Sequence, residues 1–154
     1  MKKIITSLSL FLLIISLTAC ATIATENDVY ATVVNNQGVT EQLTAKQLEN
    51  IKSENAIAFE KNYWSATVTV TGAVKEITGK YILNGTYYDW TVTIEGGECD
   101  WFIGKAQYTE TTITEDFLAT LKIGDTIEIT GDIVGASMGI CDISNGTLSA
   151  KKIG

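Results

Sequence analysis

From Thr67 the chain alternates, with Val68, Val70 and Val74 set against Thr67, Thr69 and Thr71, which is the period of a strand with one buried face. The same phrase returns at 126–134, where Ile127, Ile129 and Ile133 form one series and Thr126, Glu128, Thr130 and Asp132 the other. In each copy a glycine, Gly72 or Gly131, stands in the inward series. A glycine inside a strand marks a bulge, a bend or the close approach of other atoms. Between the copies, Tyr88, Trp90, Val92 and Ile94 alternate with Tyr87, Asp89, Thr91 and Thr93, and Lys80–Gly85 reads as the start of this strand ahead of an Asn-Gly turn. After Gly96 and Gly97, Cys99, Trp101 and Ile103 alternate with Glu98, Asp100 and Phe102, which predicts a hairpin with the preceding strand. A last strand runs through 139–150, with Cys141 and Ile143 on one side.

Two stretches carry helical rather than alternating spacing. Leu48, Ile51, Ala58 and Phe59 follow Thr44 and Gln47, which form a capping box, so a helix is predicted over 45–61. Thr114, followed by Glu115 and Asp116 in a first turn, predicts a short second helix. The order is then helix, three strands, short helix, two strands. That is the plan of a mainly β, five-stranded OB-fold Greek-key barrel with a helix between its third and fourth strands. The repeated phrase supplies its first and fourth strands, which lie side by side where such a barrel closes.

The start of the chain has a different character. Lys2 and Lys3 precede an apolar run from Ile4 to Leu17, and small residues follow before Cys20, the arrangement of an export signal. Leu17, Thr18, Ala19 and Cys20 resemble the lipobox of bacterial lipoproteins, which implies diacylglycerylation of the Cys20 thiol and cleavage before it; the alternative is an ordinary secretory signal. The expected organisation is a leader over 1–19, a lipidated N-terminus and flexible tether over 20–43, and the OB-fold domain over 44–154. Within the tether the run Val29–Val34 is open to a second reading as an edge strand. Without residues 1–19 the chain holds 9 lysines against 18 acids, a net charge of −9, and it has no arginine and no histidine. A nucleic-acid surface needs a basic patch, so the composition argues against one.

The stretches 45–77 and 121–149 resemble the tRNA-anti-like family of OB-fold lipoproteins. The residues that carry the resemblance are Asn55 near the end of the first helix, Gly72 in the first strand, and Gly124, Asp125 and Gly131 around the fourth. The resemblance implies an OB-fold and a lipid anchor, and no established activity. The chain departs from the family pattern over Lys80–Thr112, which is dense in Tyr and Trp, and in its last strand, where Gly146 follows Asn145 and the cysteine comes earlier, at Cys141.

Few residues offer chemistry. The third and fifth strands of an OB barrel pair, so Cys99 and Cys141 fall on neighbouring strands and on apolar faces. A disulfide between them is expected, worth about 4 kcal/mol in the chain-entropy model, with buried free thiols as the alternative. Trp90 and Trp101 share parity with Val92 and Ile103 and read as core rather than as a stacking platform. Tyr87 and Phe102 sit on the polar faces of the second and third strands, where OB-folds take ligands, and are the candidate binding residues. Glu95, Glu98 and Asp100 match no calcium-loop spacing, so no metal or other cofactor is expected. Without histidine a catalytic thiol lacks its usual base. The expectation is a non-enzymatic lipoprotein on the outer side of a bacterial membrane, binding a protein, glycan or small ligand; the alternative is a structural or assembly factor of the cell envelope acting by protein–protein contact.

Overall fold

The computed structural model describes residues 28–83, 85–107 and 110–154; the leader, Cys20 and the first part of the expected tether lie outside the described residues. Among the described residues, eight strands and three helices follow in the order β1 (Tyr30–Val34), β2 (Thr40–Thr44), α1 (Ala45–Glu54), α2 (Ala56–Tyr63), β3 (Thr67–Thr78), β4 (Tyr81–Leu83), β5 (Thr86–Ile94), β6 (Asp100–Ala106), α3 (Glu115–Ala119), β7 (Thr126–Ser137) and β8 (Ile140–Lys152). The five expected barrel strands are β3, β5, β6, β7 and β8. They close in the OB manner: β3 pairs antiparallel with β5 and β7, β5 with β6, β7 with β8, and β6 runs parallel to β8.

β3 is the seam. One of its edges is covered by β7 from Thr67 to Ala73. The other edge is divided: β1 takes Thr67–Val70 and β5 takes Val74–Thr78. Gly72 lies at the changeover, where an added Cβ would come within 2.6 Å of Ile94 Cγ2. Gly131 sits opposite Val68, and a Cβ there would meet Leu148 Cδ2 at 2.5 Å and Ile143 Cγ2 at 2.7 Å. Each glycine of the repeated phrase therefore gives up its side chain so that a core side chain from another strand can fill the space.

The tether expectation needs correction over 30–43, where the second reading of Val29–Val34 as an edge strand is the one the structure follows. β1 and β2 form an antiparallel hairpin, and Ala31 and Val33 are wholly buried in the core. The physical reason is the uncovered half of β3, whose backbone groups need partners. Trp101 adds a second tie by donating its indole N–H to the Val29 carbonyl at 3.3 Å. The expected single helix over 45–61 is two. Thr44 and Gln47 make the capping box, at 3.1 and 2.8 Å, but Asn55 ends α1 and its side chain accepts from the Ala58 N–H at 3.0 Å to start α2.

Helix α1 is fastened to the barrel by Glu49. Its carboxylate accepts from Lys46 Nζ at 2.9 Å, from the Gly139 N–H at 2.9 Å and from Cys99 Sγ at 3.1 Å. The Lys46 contact first, then the Gly139 amide and the thiol, hold the Glu49 carboxyl down at about 2.

Replacing Gly72 or Gly131 by valine is expected to cost about 1–3 kcal/mol through overpacking, lowering Tm by several degrees. Thermal unfolding followed by circular dichroism checks this, and an unchanged Tm in both variants contradicts the placement.

Candidate ligand-binding face

The outer face of the barrel is set by an irregularity in β5. Pairing with β6 slips between Tyr88 and Trp90, leaving Asp89 as an extra residue. A bulge of this kind shifts the alternation by one residue. Trp90, Val92 and Ile94 remain in the core, as their parity predicts. Tyr88, expected with them, instead turns outward. Its ring lies over Gly104, where any added Cβ would collide with Tyr88 Cδ1, and it meets Phe102 edge-on at 5.7 Å between centroids and 89° between planes. Phe102 is buried, at 7% exposure, yet it is not part of the central core cluster. It is covered from outside.

Tyr87 and Phe102, the two residues singled out from the sequence, do not share one hollow. Tyr87 is 62% exposed and pairs with Ile82 across the β4–β5 hairpin, beside Lys80 and Gln107. Phe102 lines a concavity of about 260 Å³ with Glu76, Tyr81, Thr93, Asp100 and Ile140. The two hollows are neighbours and have Tyr81 in common.

Next to Phe102 lies a residue that pattern reading passes over. Asp142 is the β8 partner of Phe102 and the β8 partner of Gly135 in β7, outward between the core residues Cys141 and Ile143. Alternation makes it look like an ordinary solvent-facing acid. Its Oδ1 is buried, however, and receives no hydrogen bond among the described residues. The available signal was the glycine opposite it, Gly135, which leaves only Asp142 Cβ within reach of an added Cβ, at 3.8 Å.

The sequence matches the tRNA_anti-like family over residues 1–143. The chain belongs to the tRNA_anti-like family. No curated protein sequence matches it.

In this tRNA_anti-like domain the expected disulfide is absent: Cys99 and Cys141 are both buried free thiols. β6 and β8 do pair, but in a register that sets Cys141 opposite Trp101 rather than Cys99, and Cys99 is directed instead to Glu49. Burial, then the Glu49 hydrogen bond and charge, push the Cys99 thiol up to about 11. Burial also raises Cys141. Asp100, one of the three acids examined as a calcium cluster, is taken by Lys75 Nζ at 2.7 Å and by the Gly96 N–H at 3.2 Å.

Burial pushes the Asp142 carboxyl up to about 6, and burial together with the Asp142 charge raises Tyr88. A carboxyl that holds its proton more tightly when folded weakens the fold as pH rises from its ordinary value near 3.8 through about 6. Asp142→Asn is therefore expected to stabilise the tRNA_anti-like domain on the order of 1–2 kcal/mol at pH 7 and hardly at all at pH 4. Denaturant melts at the two pH values check this; an equal effect at both contradicts the burial of an ionisable Asp142.

Proposed function

We propose that this protein is a lipoprotein held on the outer side of a bacterial membrane through a lipid on Cys20, and that its OB-fold domain is a non-catalytic binding module working through the outer face of β4, β5, β6 and β8. The observation that carries the binding role is the Tyr88–Phe102 pair, packed outside the core beside an acid whose buried Oδ1 has no donor among the described residues. A fold has no use for such a group, and ligand faces commonly do. The anchor rests on Lys2, Lys3, the apolar run to Leu17 and the four lipobox positions ending at Cys20. Two acyl chains hold a protein on a bilayer stably, since each buried methylene contributes about 0.8 kcal/mol.

The same features argue against the other classes. A thiol raised to about 11 is a poor nucleophile, and the chain has no histidine to act as its base. Lys75, which reaches the hollow's rim, is already paired with Asp100, so phosphates would meet an acidic face. A second reading, an envelope assembly factor acting by protein contact, is favoured by the β4–β5 hairpin, where Ile82 and Tyr87 stand exposed at 53% and 62%.

Cells expressing the full chain and fed an alkyne fatty acid are expected to label it, and Cys20→Ser to abolish both labelling and recovery in the membrane fraction. A labelled, membrane-bound Cys20→Ser protein contradicts the anchor.

A further inference from the structure

We infer that the hollow between the β4–β5 hairpin and the end of β6 takes an uncharged oligosaccharide of gluco-configured rings, one ring stacked on Tyr87 with its hydroxyls bonded by Gln107. The inference rests on the binding-module reading and specifies its ligand.

The hollow holds about 460 Å³, within the range of ligand clefts, and is lined by Lys80, Tyr81, Tyr87, Tyr88, Asp89 and Gln107. Its walls are tied to the barrel. Tyr81 pairs with Tyr88 across the hairpin, and Tyr88 is held by its edge-on packing against Phe102. The Gln107 N–H donates to the Tyr87 carbonyl at 3.0 Å, which fixes the amide-bearing residue beside the exposed ring. Two further hollows adjoin this one, about 350 Å³ sharing Lys80 and Asp89 and about 260 Å³ sharing Tyr81. Hollows joined by shared walls suit a linear oligomer better than a compact metabolite.

Charge argues against an ionic ligand. Asp89 is paired with Lys105 Nζ at 2.9 Å, and Lys80 shares the adjoining hollow with Glu115. The lining therefore holds no surplus of either sign for an ammonium, a carboxylate or a phosphate. The excess of acids over lysines in the whole chain also repels polyanions, so a nucleic-acid strand, which would stack equally well, is disfavoured by its phosphates.

What the hollow does offer is ring faces and neutral hydrogen-bonding groups. A pyranose whose hydroxyls are equatorial carries only C–H bonds on its two faces, so a face lies against an aromatic ring while the rim needs donors and acceptors. Tyr81 and Tyr87 present exposed rings, each ending in a hydroxyl. The Gln107 amide sets two donors beside an acceptor, a match for two adjacent sugar hydroxyls. A peptide fits less well, because strand addition needs a long open edge and β4 offers only Tyr81–Leu83. Rings of this configuration have two sources, glucans and N-acetylglucosamine polymers.

Calorimetric titration of the full chain in a non-ionic detergent with a polyether headgroup tests the site. The probes are cellotetraose, maltotetraose and chitotetraose; tetraglycine and a thymidine 15-mer are controls. Saturable binding of a saccharide is expected, and Tyr87→Ala should weaken it about tenfold with Tm unchanged, because that side chain is largely exposed. Tyr87→Phe keeps the ring and should retain the affinity. Trp64→Ala removes an exposed aromatic that lines none of the three hollows and should also leave it unchanged. Tighter chitotetraose binding assigns the ligand to N-acetylglucosamine polymers, and tighter cellotetraose or maltotetraose binding to glucans. Equal affinity in Tyr87→Ala and parent, or no saccharide binding by the parent, overturns the inference. Binding of the thymidine oligomer or tetraglycine in place of the saccharides also overturns it, while leaving the binding-module reading in force.

Discussion

Barrel closure through β3 is the constraint on which everything else rests. One strand must pair along both edges, and its second edge must serve two partners, β1 over Thr67–Val70 and β5 over Val74–Thr78. Closing so small a barrel requires strong coiling, and strands coil by bulging. Irregularities accordingly occur between Val74 and Glu76, between Tyr88 and Trp90, and at two places in β7. The glycines at 72 and 131 belong to the same requirement, because core side chains from neighbouring strands cross where their Cβ atoms would be.

The make-up of the outer face around Phe102 is a consequence of this closure. The bulge at Asp89 sends Tyr88 out of the inward series and onto Gly104, where it covers Phe102. Asp142 then lies beside Phe102 with its Oδ1 buried and without a donor among the described residues. The packing of Tyr88 on Phe102 therefore depends on one extra residue in one strand.

The same physics explains what was legible in the sequence. Valines 68, 70 and 74 and isoleucines 127, 129 and 133 lie in regular stretches, and their alternation reports their faces correctly. The Thr44–Gln47 capping box and the Thr114 cap are local devices, visible because their partners are three residues away. What failed was non-local or out of phase. Tyr88 was misplaced because a bulge inverts parity without leaving a compositional mark. Of the β1–β2 hairpin the sequence offered only β1, as a second reading of Val29–Val34, because five-residue strands are too short for a firm period and the reason for the hairpin is the uncovered half of β3. Asn55 divides the helix by a capping bond that a helical pattern hides. The disulfide failed because the pairing of β6 with β8 was foreseeable whereas its register, and the claim of Glu49 on Cys99, were not. Tyr87 and Phe102 were legible from strand parity, whereas the packing of Tyr88 on Phe102 and the buried Oδ1 of Asp142 beside it were not.

The direct measurement is the set of ring-proton NOEs from Tyr88. The account predicts NOEs from Tyr88 to the Phe102 ring and to the Gly104 Hα protons, with those protons shifted upfield by the ring above them. NOEs from Tyr88 to Val92 and Ile103, with Gly104 unshifted, would place the tyrosine in the core and contradict the bulge on which the proposed binding face depends.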